Sequence, residues 1–266
     1  MIQTVQAAPP GHYRAKNVAK SEVLKMLTLR STAIMVGLAV LGSLLVSFLT
    51  TRSALHHSAS WYISVSFDPT QQSMIGLIVA CLIGGVFGAL LITGEHASGT
   101  IRTTLSATPR RGLLLATKIA VAAVATLVVF EVLSFVAFFL GEAILSAGGA
   151  PHADLGTPGA LRAVVMTGAF IALTSLMSFG FGLIFRHTAA AIAAFAGVVF
   201  VLPLVMHGIS PADLRYLPTN ILTNSITATM NENPGAVSPA LGLVLMAVYA
   251  AISLGAGAML FARRDA

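Results

Sequence analysis

The sequence predicts an all-α integral membrane protein with six transmembrane helices, and three observations carry that prediction. Of its 266 residues, 56% are hydrophobic and only 9% charged, whereas about a quarter of a soluble domain is charged. The apolar residues fall into continuous runs at about 33–49, 74–92, 115–140, 164–185, 189–206 and 241–261, each near the roughly 20 residues that cross a bilayer. These runs lack the ten-residue alternation of barrel strands, and lipid forces a continuous apolar span to satisfy its backbone as a helix.

Ahead of the first span, residues 17–30 read NVAKSEVLKMLTLR. Val18, Val23, Leu24 and Leu27 interleave with Lys20, Glu22 and Lys25, a pattern that fits a short amphipathic helix lying flat on a membrane surface; the alternative is a basic tail that only sets topology. About thirty residues precede the first span and no A-x-A site follows it closely, so the span is expected to stay uncleaved. The connection from Thr51 to Ser73 holds His56, His57, Trp61, Tyr62 and Asp68. No zinc-like ligand spacing accompanies the two histidines, so it is expected to be a solvated loop with Trp61 and Tyr62 as an interfacial anchor.

The second span contains the single cysteine, Cys81, which excludes an intrachain disulfide. Gly84, Gly85 and Gly88 in LIGGVFGALL form a small-residue face that lets backbones approach closely, within the chain, along a substrate path or across a dimer. The third span contains Glu131, with Lys118 near its start and Glu142 beyond its end. A carboxylate in mid-membrane costs about 2.5–3.5 kcal/mol on insertion scales, so Glu131 should face other helices or water, within reach of Ser134, either in helix packing or in a substrate or proton role. The fifth and sixth spans are joined by some thirty-three mixed residues, which suits one or two short re-entrant helices; a plain loop is the alternative.

Lysine and arginine fix the expected orientation. With six spans, twelve of the fifteen fall on one side, among them Lys20, Lys25, Arg30, Arg102, Arg110, Arg111 and Lys118; Arg52, Arg162 and Arg215 fall on the other. The positive excess marks the cytoplasmic side, so both termini and the stretch GEHASGTIRTTLSATPRRG, residues 94–112, are expected to be cytoplasmic. No segment outside the spans is large enough for a basic nucleic-acid-binding face. The sequence contains no G-x-x-x-x-G-K-[ST] phosphate loop, no H-E-x-x-H and no G-x-S-x-G, so the chain is expected to be non-enzymatic, without a metal, cofactor or catalytic residue of its own.

The stretch GEHASGTIRTTLSATPRRGLLLATK resembles the segment after the second span of ATP-binding-cassette exporter permeases of the type-2 (ABC-2) family. The matching positions are Glu95, Gly99, Thr100, Ile101, Leu105, Pro109, Arg110, Arg111 and Lys118. SEVLKMLTLRST likewise resembles that family's opening. His96 departs mildly, standing where many relatives carry an aromatic residue.

The resemblance implies a single permease domain over 1–266, with an elbow helix at 17–30, a coupling helix in 94–112 and outer re-entrant helices. It implies a second, identical or homologous permease and two separate ATP-binding-cassette ATPase subunits that would carry ATP and Mg2+. In the coupling segment, Ile101 and Leu105 would form the apolar docking face. Gly94 and Gly99 would allow tight entry, Pro109 would end the helix, and Glu95 and Arg102 could pair with the ATPase. Lys20, Lys25, Arg30, Arg110, Arg111 and Lys118 would tether the chain at anionic headgroups.

The function expected is the membrane-spanning subunit of an ATP-driven exporter in a bacterial plasma membrane, moving a drug, a peptide antibiotic or a lipid outward. Two alternatives stand beside it: a non-transporting sensor or scaffold of the same fold, and a proton-coupled transporter using Glu131.

Overall fold

The computed structural model describes residues 15–64, 66–100, 111–228 and 237–264. Among them there is no strand, and six segments are long and apolar enough to cross a membrane: Arg30–Ala54, Pro69–Ala97, Gly112–Ala147, Ala160–Phe185, Thr188–Ile209 and Pro239–Arg263. A surface helix, α1 (Ala15–Thr28), precedes α2 (Arg30–Ala54); two short helices, α3 (Ala59–Ser64) and α4 (Pro69–Met74), lead into α5 (Leu77–Ala97).

The fourth span, α7 (Ala160–Phe185), is the centre of the bundle. Two thirds of its most apolar stretch, 67%, is buried, against 17–28% for the first, third, fifth and sixth spans, which the rest of the chain covers far less. Close packing around α7 rests on small residues. A Cβ on Gly88 would lie 1.9 Å from the carbonyl oxygen of Ser175, and one on Gly180 would lie 2.5 Å from Ser253 Oγ. Gly84 and Gly88 therefore form the seam between α5 and α7, with Phe130 of the third span also against Gly84. Their packing is within the chain.

On α2, Ala39, Ser43, Ser47, Thr51 and Ala54 form the buried stripe, while Ile34, Leu38, Leu41, Leu45 and Leu49 are exposed. Small residues inside and large aliphatics outside invert the soluble pattern, as expected where lipid is as apolar as leucine.

The third span, α6 (Arg111–Ala147), has 37 residues, about 55 Å at 1.5 Å per residue, so it outruns the ~30 Å hydrocarbon layer. The fifth span is one continuous helix, Thr188–Ile209, that changes its hydrogen-bond pattern midway. Helix α8 (Thr188–Ala196) passes through a π-helical turn (Gly197–Val201) into α9 (Leu202–Ile209). Pro203 has no amide hydrogen to give the carbonyl of Val199, four residues back, and Thr219 Oγ1 donates to that oxygen instead. Thr219 belongs to α10 (Pro218–Ser225), which follows a 3₁₀ turn (Pro211–Tyr216) and buries Ile221 and Leu222 against the bundle. The described part of the connection between the fifth and sixth spans is thus largely helical, and α11 (Pro239–Arg264) packs against α7.

The segment expected to be a solvated loop is folded. Asp68 is only 7% exposed: its Oδ1 accepts from the Gln71 amide at 3.1 Å, capping α4, and its Oδ2 accepts from the Ala228 amide at 2.8 Å. His57 stacks on Trp61 at 3.9 Å, and Tyr62 Oη donates to the carbonyl of Ala54. Two backbone amide donors offset the cost of burying this carboxylate.

Candidate functional site

At the end of the bundle where α5 finishes and α6 begins, four charged side chains from three helices meet. On α1, Val18 and Glu22 face the bundle, with Lys25 and Met26 half-buried beside them, the i, i+4 and i+7 spacing of one helix face. The apolar residues Val23, Leu24 and Leu27 turn away from the protein. Lys118, in the second turn of α6, reaches back to Glu22 Oε2 and to Glu95 Oε1, the latter at 2.6 Å. Lys25 Nζ lies 2.9 Å from Glu22 Oε1 and 3.4 Å from Glu95 Oε1. The cluster holds two carboxylates and two ammonium groups, and so is balanced.

Burial separates these pairs from ordinary surface ion pairs. The side chains of Glu22 and Lys118 are 6% and 8% exposed, against 37% for Lys25. Burial alone would raise the Glu22 carboxyl, but Lys118 and then Lys25 hold it below its ordinary 4.5. Burial alone would lower Lys25, and its contacts with Glu22 and Glu95 hold it above its ordinary 10.5. Opposite charges within bonding distance outweigh desolvation at both groups. The result is a clasp that joins α1 to the end of α5 and the start of α6.

The segment 94–112 starts at this clasp. Ser98 Oγ donates to the carbonyl of Gly94 at 2.9 Å and lies 2.9 Å from Thr100 Oγ1. Gly99 turns the chain with φ +71°, a left-handed conformation that glycine adopts without a Cβ penalty. Ile101, Arg102, Leu105, Pro109 and Arg110 lie outside the described residues, as does the side chain of Arg111.

Several expectations change. Gly94 is an ordinary helical residue of α5 with open space where a Cβ would stand, so the turn needs Gly99 alone. Lys118 is not a headgroup tether, because it is buried between two carboxylates; Lys25 also spends its charge there, whereas Lys20 and Arg30 are exposed. Glu95 pairs within the chain. Glu131 is not joined to Ser134, whose hydroxyl donates to the carbonyl of Val164 at 2.7 Å. It packs on Gly168, where a Cβ would lie 2.7 Å from the carboxylate. Glu22 was the residue that sequence reasoning missed; its one signal was Lys118, a cation near the start of an apolar run, which fits a buried acid as well as it fits headgroups.

A search of curated proteins finds no match to this chain. The family model described as ABC-2 family transporter protein matches residues 15–266. That match covers all six spans, the surface helix and the clasp. The chain therefore belongs to the ABC-2 transporter family, whose members are generally non-catalytic membrane permeases of ABC exporters that work with an ATPase subunit.

Proposed function

We propose that this chain is the membrane-spanning subunit of an ATP-driven exporter that carries a hydrophobic or amphipathic substrate, such as a drug, a peptide antibiotic or a lipid, out of the cytoplasm. It sits in a bacterial plasma membrane with both termini inside, paired with a second permease and driven by two ATP-binding-cassette subunits that hold ATP and Mg2+. The lysine and arginine distribution supports that sidedness.

The observation that carries the reading is the clasp at the root of residues 94–112. A short helix docked in a groove of the ATPase would receive its movement, and whatever it receives passes to α5 and α6, which flank it. Through Glu22, Glu95 and Lys118 the same displacement reaches α1. Three elements would then move as one lever, with Ile101 and Leu105 as its contact face. Replacing Ile101→Asp in the complete reconstituted complex should leave membrane insertion intact and abolish substrate-stimulated ATP hydrolysis. Unchanged stimulated hydrolysis would overturn the docking role.

A further inference from the structure

Between α1, the start of α2, α5 and α6 lies a cavity of about 430 Å³, within the ~300–1,000 Å³ typical of small-molecule sites. Its two ends differ in chemistry. The deep end is formed by Met35, Phe87, Leu91, Val121 and Phe179. The other end carries hydroxyls from Ser31, Thr32, Ser98 and Thr100 together with the clasp. From Phe87 to Ser98 the cavity follows α5 for about 16 Å at 1.5 Å per residue, so it is elongated as well as two-ended.

The clasp says which head would suit it. Its two acids and two lysines cancel, so it offers no net charge to an ionic ligand. An uncharged head that hydrogen-bonds to the hydroxyls of Ser31, Thr32 and Ser98 would leave that cluster balanced. A cation there would sit beside Lys118 and Lys25, and an anion beside Glu95 and Glu22.

We propose that this cavity binds an uncharged amphiphile, its apolar body between Met35, Leu91 and Val121 and a hydroxyl or amide head at the end lined by Ser31, Thr32 and Ser98. Binding does not require export, so its test uses the full-length permease in lipid nanodiscs without an ATPase. Three photoactivatable probes share one diazirine-bearing alkyl chain and differ only in head: a monoacylglycerol, a primary ammonium and a phosphate. The monoacylglycerol should label peptides of α5 and α6 bordering the cavity saturably, about tenfold more than either charged probe, a difference of ~1.4 kcal/mol. Leu91→Phe or Val121→Phe should remove that labelling. Probe built into the discs and probe added from water distinguish a membrane diglyceride-like lipid from a soluble cargo, and saturable labelling by either route supports the site. Equal labelling by all three heads, preference for a charged head, or labelling that survives both fillings would overturn it; the head comparison on the unaltered protein holds even if a filled variant misfolds.

Discussion

Both ends of the bundle bury carboxylates, but they satisfy them in opposite ways. At the Asp68 and Glu142 end the partners are backbone and hydroxyl donors: Glu142 accepts from the Ala153 amide at 2.7 Å and from Ser73 Oγ at 3.0 Å, and Asp68 accepts from the amides of Gln71 and Ala228. Arg162 nearby donates to the carbonyls of Thr227 and Ala228 at 3.0 Å. At the clasp end, Glu22 and Glu95 are held by lysines. Backbone amides fix a carboxylate in direction and distance, so the first end is rigid. A lysine is a point charge on a flexible stem, so the clasp can keep its pairing while its helices tilt. Rigidity belongs where short segments are stapled together, and tolerance of tilt belongs where a partner would push.

The comparison is broken most severely by Lys118→Met. It removes one buried cation and leaves two carboxylates facing each other, with an expected loss of about 3–5 kcal/mol, read as a lowered melting midpoint in detergent. Glu142→Ala should cost less, about 1–3 kcal/mol, because it strands an amide and a hydroxyl but no charge. A larger loss for Glu142→Ala than for Lys118→Met would reverse the ranking of the two ends.

The smallest effect is the pH response of the clasp across neutrality. Glu22 is held below its ordinary 4.5 when folded, so its stabilisation is present above about 4.5 and is lost as pH falls through the lower folded value. Lys25 is held above its ordinary 10.5, so its share is present below about 10.5 and is lost as pH rises through the higher folded value. The protection factors of the α1 amides, which divide out the base-catalysed intrinsic exchange rate, should therefore be flat from about pH 6 to pH 9 and fall only in strong acid or strong base. A transition near neutrality would mean that another group controls the docking of α1.

The six spans were legible because apolar runs of bilayer length admit one solution in lipid, and the runs at 115–140 and 241–261 lie inside α6 and α11. The resemblance pointed to Gly94 and Gly99 together for the turn, and only Gly99 has the left-handed backbone a turn of this kind uses. The clasp was not legible, since Glu22, Glu95 and Lys118 are joined only by the fold. A lysine near a span end fits headgroups as well as it fits a buried acid. Asp68 was misread for a similar reason: its second partner, the Ala228 amide, is 160 residues away.

The most direct test of the lever is to lock it. Glu22→Cys with Lys118→Cys removes one acid and one base, keeping the cluster neutral, and a short cleavable thiol cross-linker then fixes α1 to α6. If α1, α5 and α6 move together, the locked complex keeps substrate-stimulated ATP hydrolysis at the level of its uncross-linked form. Loss of stimulation on locking, restored when the linker is cleaved, would show that the clasp must open and would contradict the account.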